Sequence, residues 1–274
     1  MHDMIRYLIS ALVVLPLTLL AEERPNFVFI ISDDQSWPHM SAYGDEVIET
    51  PAFDRIADEG VLFTHSYTAT PSCTGSRSAV LAGQDIWRLR EAGILHGSIP
   101  PDIPLMPLIL EDAGYFVGWT GKGWNPGSWD YLGLERYPIG QEFNRVKDTM
   151  KIAVGIASID YSANFDAFLE ARPDGQPFFF WLGTREPHRK YQEGVGASEA
   201  GLSTENVRVP AYWPDIELVR NDILDYYYEI LWLDTHIQSV LASLEKSGEL
   251  DNTVIVVTSD NGMPFPRGKT TLYE

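Results

Sequence analysis

Asn26-Phe27-Val28-Phe29-Ile30-Ile31-Ser32-Asp33-Asp34 is an almost wholly apolar run that stops abruptly at two carboxylates. A half-buried strand alternates polar and apolar residues. One buried on both faces of a parallel sheet does not, and its charges gather where the chain leaves its carboxyl end. Residues 26–32 therefore read as an interior strand. The stretches 115–120, 178–182 and 253–259 have the same character. Between them lie helical patterns. Thr50-Pro51 opens one over 52–59, with Phe53, Ile56 and Ala57 on one face and Gly60 as its stop. Another covers 105–113 and ends at Gly114; a long one runs from Glu217 to about Lys246 and ends at Gly248. Residues 61–68 resume an extended pattern, and 123–159 and 192–214 read as long loops that shape a site.

Parallel strands need crossover connections, so strands that alternate with helices predict an α/β fold: a mainly parallel sheet flanked by helices on both faces. Ligands of such sheets collect at the carboxyl ends of the strands. Four strand ends carry charged or metal-compatible groups: Asp33-Asp34, Lys122, His188 and Asp260-Asn261.

With 45% apolar residues and 12% aromatic ones, the 274-residue chain has enough material for a substantial core. Its formal charge of −19 disfavours nonspecific binding to nucleic acid or to an anionic membrane, so any anionic substrate must be captured by local positive groups. The lone cysteine, Cys73, excludes an internal disulfide framework and any multi-cysteine zinc site. Arg6, the apolar stretch 7–20 and the small Ala21 have the form of a cleaved export signal over residues 1–21, which predicts a periplasmic or secreted protein. Pro16 interrupts that stretch, which is shorter than the roughly 20 residues a spanning helix needs, so no stable membrane span is expected.

Asp33-Asp34 and Asp260-Asn261 offer hard oxygen ligands of the kind calcium or magnesium takes. Each pair alone is an ordinary cap or turn, but their joint placement at strand ends of one sheet points to a metal site. The segment 70–84 starts as a loop and becomes an apolar helix, which puts Cys73 near a helix amino terminus, where partial positive charge favours an anion. Arg77 follows one turn later. On these grounds Cys73 is either an activated thiolate or a buried apolar filler.

The Cys73-x-x-Ser76-Arg77 core, followed by a small and apolar run to Gly83-Gln84, resembles the signature of the type I sulfatases of the alkaline-phosphatase superfamily. So does the order Asp33-Asp34-Gln35, Thr50-Pro51-x-x-Asp54-Arg55-x-Ala57, Gly121-Lys122, Pro187-His188-Arg189 and Ser259-Asp260-Asn261-Gly262, with the heparan N-sulfatase-like branch the nearest in flavour. The resemblance implies a calcium ion held by Asp33, Asp34, Asp260 and Asn261, and a formylglycine made from Cys73 by a modifying enzyme. It also implies support from Arg77, and contact of Lys122, His188 and Lys269 with the sulfate or its leaving group, His188 being the proton donor. The implied function is hydrolysis of sulfate esters or sulfamates on a sulfated sugar or polysaccharide, to which Trp124, Trp129 and Trp213 are candidate loop aromatics. A phosphodiesterase or phosphonate hydrolase of the same superfamily is the alternative enzyme, and a noncatalytic sulfated-glycan-binding module the alternative if Cys73 stays a thiol.

Three departures from the family pattern stand out. Gly75 occupies a position where proline or alanine is usual, Trp124 replaces a histidine, and the chain stops at Glu274. The implied organisation is a catalytic domain over 22–274 that ends before a smaller carboxyl-terminal subdomain. From this follow two expectations: an uncovered side of the sheet at 253–259, and a Lys269 poorly fixed for want of neighbours.

Overall fold

The computed structural model describes residues 24–149 and 153–271, so the export signal expected over residues 1–21 lies outside the described residues. Strands β1 (Asn26–Ser32), β2 (Phe116–Gly121), β3 (Gln141–Glu142), β4 (Phe178–Gly183) and β5 (Thr253–Ser259) form one five-stranded sheet in the order β3-β2-β4-β1-β5. Every pairing in it is parallel. The helices are α1 (Pro51–Glu59), α2 (Cys73–Ala82), α3 (Met106–Asp112), α4 (Tyr161–Ala171), α5 (Val195–Ser198) and α6 (Glu217–Ser247).

The interior strands lack polar alternation because both of their faces are covered. Val28 and Ile30 of β1, with Phe178, Phe180 and Leu182 of β4, pack beneath α1, α4 and α6. Ile31, Phe179 and Trp181, with Val117 and Trp119 of β2, point the other way into a second apolar layer shared with Leu81 of α2 and the α3 side chains. The result is the expected sandwich of helices, sheet and helices. Tyr226, Ile230, Leu233, Ile237, Val240, Leu241 and Leu244 give α6 a buried stripe at helical spacing, and Gly248 ends the helix at φ 73°.

Helix α4 lies within a region the sequence marks as loop on one side and leaves unassigned on the other. Its signals are local: the Asp160 side chain accepts a hydrogen bond from Ala163 N, and Tyr161, Phe165 and Phe168 are buried one turn apart. Strand β3 is two exposed residues, too short and polar to announce itself. Residues 61–68 form no strand; Val61, Phe63 and Tyr67 are exposed, since no neighbouring strand offers them a ladder. The 192–214 loop holds α5 and a short 3-10 turn at Thr204–Asn206. Among the described residues no helix is long and apolar enough to cross a membrane.

Strand β5 corrects the reading of 253–259 as buried on both faces. It is the edge of the sheet: Ile255 and Val257 pack toward α6, whereas Val254 and Val256 are 45% and 38% exposed. No described element lies over that second face, which matches the expectation of an uncovered side. Its register partners Phe27 and Phe29 are left half-buried for the same reason.

Thr50 opens α1 without a side-chain cap; the cap comes from α6 instead. Asp234, 4% exposed, accepts from Ala52 N at 3.1 Å and from Phe53 N at 3.0 Å. Asp234→Ala is therefore expected to destabilise the fold by about 1–3 kcal/mol, because it strands two orphan amide donors. Val256→Thr on the open face is expected to stay within about 0.5 kcal/mol of the parent. Urea unfolding of both variants checks the contrast.

Candidate active site

Side chains at successive strand positions point to opposite faces, so two adjacent aspartates would part company if β1 simply continued. The turn prevents this: Asp34 takes a left-handed φ of 70° and its amide donates to Asp260 Oδ1 at 3.0 Å. Asp33 N donates to the Glu186 carbonyl at 3.0 Å, and Asp260 N donates to Ser32 O at 3.2 Å. The ends of β1, β4 and β5 are thus tied together, and one ligand atom each from Asp33, Asp34, Cys73 and Asp260 lies within 4.8 Å of the others.

All four residues are nearly solvent-free, with Asn261 beside them. Asn261 Nδ2 donates to Asp260 Oδ1 at 2.7 Å, while its buried Oδ1 has no hydrogen-bond partner. A lone acceptor among three buried carboxylates has the donor chemistry of a hard-cation site, so Asp33, Asp34, Asp260 and Asn261 fit a calcium or magnesium ion.

Three basic groups answer the carboxylates. Arg77, fully buried, donates from Nε to Asp260 Oδ2 at 2.7 Å and from one terminal nitrogen to the Lys122 and Gly123 carbonyls at 2.9 and 3.0 Å. Lys122 Nζ lies 2.5 Å from Asp33 Oδ2, and Lys269 Nζ lies 2.7 Å from both oxygens of Asp34. Burial and the neighbouring Asp260 carboxylate push the Asp33 carboxyl up, whereas Arg77 and Lys122 hold Asp260 down against its own burial.

Cys73 is the first residue of α2, with its Sγ 3.4 Å from Asp33 Oδ1. Burial and then the Asp260 and Asp33 carboxylates push its thiol up to about 11. Burial and the carboxylates thus act against the partial positive charge of the helix terminus and favour the thiol over an activated thiolate. His188 stands at the mouth, with Nε2 3.7 Å from Asp34 Oδ2 and Nδ1 2.5 Å from the Arg189 carbonyl. Only Nδ1–H can donate to a carbonyl, so Nε2 carries the free lone pair. Burial, helped by Lys269, lowers the imidazole pKa in spite of Asp34.

All nine residues singled out in the sequence converge here. Lys269 corrects the expectation that it is poorly fixed. Trp213 Nε1 donates to Pro266 O at 2.7 Å, Met263 N donates to Ser36 Oγ at 2.8 Å, and Thr270 N donates to Pro71 O at 2.9 Å. The loop tryptophans are largely structural. Trp124 is wholly buried and donates to Ser78 Oγ at 2.7 Å beneath α2, Trp213 is buried, and Trp129 packs edge-on to Tyr137. Sequence reasoning missed Glu186, whose carbonyl holds Asp33 and whose buried carboxylate accepts from Ala157 N and Tyr161 Oη. It also missed Thr68, which donates to the Asp260 carbonyl at 2.7 Å. Neither carries a local signal.

Gly75 has a steric reason. A Cβ there would lie 2.6 Å from Thr70 Cγ2 and 2.9 Å from the Gly93 carbonyl oxygen. Alanine favours a helix over glycine by about 1 kcal/mol, and overpacking costs about 1–3 kcal/mol. Gly75→Ala is accordingly expected to lower stability; a rise in its thermal midpoint would show that the Gly93 loop yields freely.

The sulfatase family profile matches residues 25–274. Human N-sulphoglucosamine sulphohydrolase is 28% identical over 281 residues, an alignment that takes in 93% of this chain and 54% of that protein. A protein solved in complex with its substrate D-glucosamine-2-N,6-O-disulfate superposes with a TM-score of 0.63 at 20% identity, covering 88% of this chain and 66% of the other. The phosphonate monoester hydrolase of Agrobacterium radiobacter gives 0.61 at 17% identity, covering 87% and 63%. At these identities the structural matches establish the fold, and the chain spans about half the length of the curated relatives it matches. A profile match that takes in the whole sheet, both helical layers and every residue of the cluster leads to one conclusion: the chain belongs to the sulfatase family.

Proposed function

We propose that the chain carries the catalytic half of an exported sulfatase that hydrolyses sulfate esters or sulfamates of a sulfated sugar or polysaccharide. The observation that carries this reading is the buried constellation at the strand ends: three carboxylates and an unpartnered amide oxygen beside Cys73, with Lys122, Lys269 and His188 around the opening. The names of relatives that act on glucosamine or galactosamine sulfates and sulfamates support the substrate class.

In this reading Asp33, Asp34, Asp260 and Asn261 hold a calcium ion, which when bound neutralises the carboxylates and polarises a sulfate oxygen. Cys73 is the precursor of formylglycine, which as a hydrated aldehyde supplies a nucleophilic oxygen and a route for sulfate to leave. An unconverted thiol has no second hydroxyl from which a bound sulfate could be expelled, which favours the converted side chain. Arg77, locked by Asp260 and two carbonyls, fixes the start of α2 and hence residue 73. The Lys122 and Lys269 side chains are 13% and 15% exposed, so their ammonium groups reach the opening and can hold sulfate oxygens. His188 presents Nε2 to the opening because Nδ1–H is committed to the Arg189 carbonyl, and once protonated there the imidazolium delivers that proton to the departing oxygen or nitrogen.

The fold is shared with a phosphonate monoester hydrolase, so turnover of aryl sulfate and aryl phosphate esters side by side tests the reaction class. Faster phosphate turnover would overturn the sulfatase reading, and glycan binding without turnover would make the chain a binding module.

Co-expression with a formylglycine-generating enzyme is expected to convert Cys73, as read by peptide mass spectrometry. Cys73→Ala is expected to abolish turnover, with a loss of several orders of magnitude for removal of a nucleophile. An unconverted thiol in a fully active preparation would sink this mechanism.

Purified protein is expected to hold about one hard divalent ion per chain. Chelation should lower the thermal midpoint and calcium should restore it, by about 3 kcal/mol at a hundredfold excess over the dissociation constant. Asp34→Asn is expected to weaken that recovery; an unchanged midpoint on chelation would count against the metal site.

A further inference from the structure

Arg189 follows His188 directly and joins three parts of the molecule. Its two terminal nitrogens donate to Asp222 Oδ1 and Oδ2 on α6 at 2.9 and 2.6 Å. Its Nε donates to the Pro264 carbonyl at 3.3 Å. Its guanidinium plane lies over the rings of Phe265 and Tyr191, 4.5 and 4.8 Å from their centroids. All three nitrogens and the flat face are therefore engaged, on α6, on the loop after β5 and on the segment after β4.

Both loops end at residues of the site. The Arg189 carbonyl accepts from His188 Nδ1 at 2.5 Å, so the placement of this backbone sets both the tautomer and the direction of the imidazole. Pro264 and Phe265 begin the turn that returns to Lys269, whose Nζ rests on Asp34. Phe265 is also stacked on Trp213 at 5.1 Å, so a shift at the guanidinium is passed along the turn rather than absorbed by it.

We propose that Arg189 is a positioning residue, which through Asp222, Pro264 and the Phe265 ring fixes His188 Nε2 and Lys269 Nζ together against Asp34. This rests on the sulfatase reading for its catalytic consequence, but not for the geometry. The bland alternative is a surface ion pair, since Arg189 and Asp222 are 38% and 35% exposed, and such pairs contribute little. The bidentate fork, the carbonyl bond and the two stacked rings distinguish this one, and lysine can reproduce none of the planar contacts.

The test compares Arg189→Ala, Arg189→Lys and Asp222→Asn with the parent at equal formylglycine content and saturating calcium. A displacement of about 1 Å in a catalytic group costs up to about a hundredfold in rate, so kcat is expected to fall at least about tenfold in Arg189→Ala with KM within about threefold. Lysine should not restore the rate, whereas guanidinium ion added to Arg189→Ala should restore part of it. Asp222→Asn, which keeps the stacked rings in place, should fall between the two and serves as the test if Arg189→Ala does not fold. Turnover of both Arg189→Ala and Asp222→Asn within twofold of the parent would overturn the proposal, as would a loss confined to KM. Amide exchange gives a readout that needs no activity: the substitutions should speed exchange over residues 262–270 and leave β5 protected. If the parent protein hydrolyses no sulfate, the sulfatase reading fails while exchange still decides whether the clamp exists, and unchanged exchange over 262–270 would refute it.

Discussion

Arg77 and Asp260 form an ion pair with no solvent exposure, and the site is built around it. The pair ties α2 to the end of β5, while one terminal nitrogen of Arg77 donates to carbonyls at the end of β2 and the other to the Ser32 carbonyl at the end of β1. Loss of one partner from such a pair costs about 3–5 kcal/mol, because the other charge is left buried without compensation. The same contact sets the charge balance. Three carboxylates crowd the strand ends, and Arg77 is the one basic group among the described residues of the cluster that has no access to solvent. Lys122 and Lys269 complete the balance from the partly open side, where a substrate's anionic group can compete for them.

The site divides into parts of unequal rigidity. Asp33, Asp34, Asp260 and residue 73 sit on strand ends or on the first turn of a helix, where main-chain hydrogen bonds across β1, β4 and β5 hold them. His188 and Lys269 sit on loops, which lack a ladder and depend on side-chain braces: Arg189 with Asp222, Trp213 with Pro266, and Glu186 with Tyr161. Metal-compatible groups and Lys122 thus come from strand ends, whereas His188 and Lys269 come from the loops. This is the common arrangement of an α/β scaffold that varies its chemistry through its connections.

The interior of the sheet was legible because burial on both faces leaves a continuous apolar run, as in 26–32 and 178–182, and because charge at a strand's end stands out against it. Edge strand β5 has the same composition as an interior strand, so its exposed face depends on what lies beside it in space, which periodicity does not encode. Helix α4 was readable in principle from Asp160 and the spacing of Tyr161, Phe165 and Phe168, but its setting among loop-like residues obscured it. The convergence of the nine site residues followed from strand-end logic and family register. The state of Cys73 did not, since it depends on the competition between a helix terminus and three carboxylates that only the folded geometry brings together. The braces at Arg189 and Trp213 join residues far apart in sequence and have no local signature.

The strand order has a consequence for how the molecule is made. Strand β1 lies between β4 and β5, so the first strand among the described residues gains its two ladders only from elements synthesised much later. Until β4 and then β5 emerge, the apolar stretch from Phe27 to Ile31 has no strand to pair with, and every group held by the β1 turn waits with it. Pairings of such high sequence separation pay loop-closure entropy before they return any stability, which makes folding slow and exposes sticky intermediates. Assembly of the carboxylate cluster therefore waits on the latest strands, and until they arrive β1 lacks both of the ladders that hold it inside the sheet.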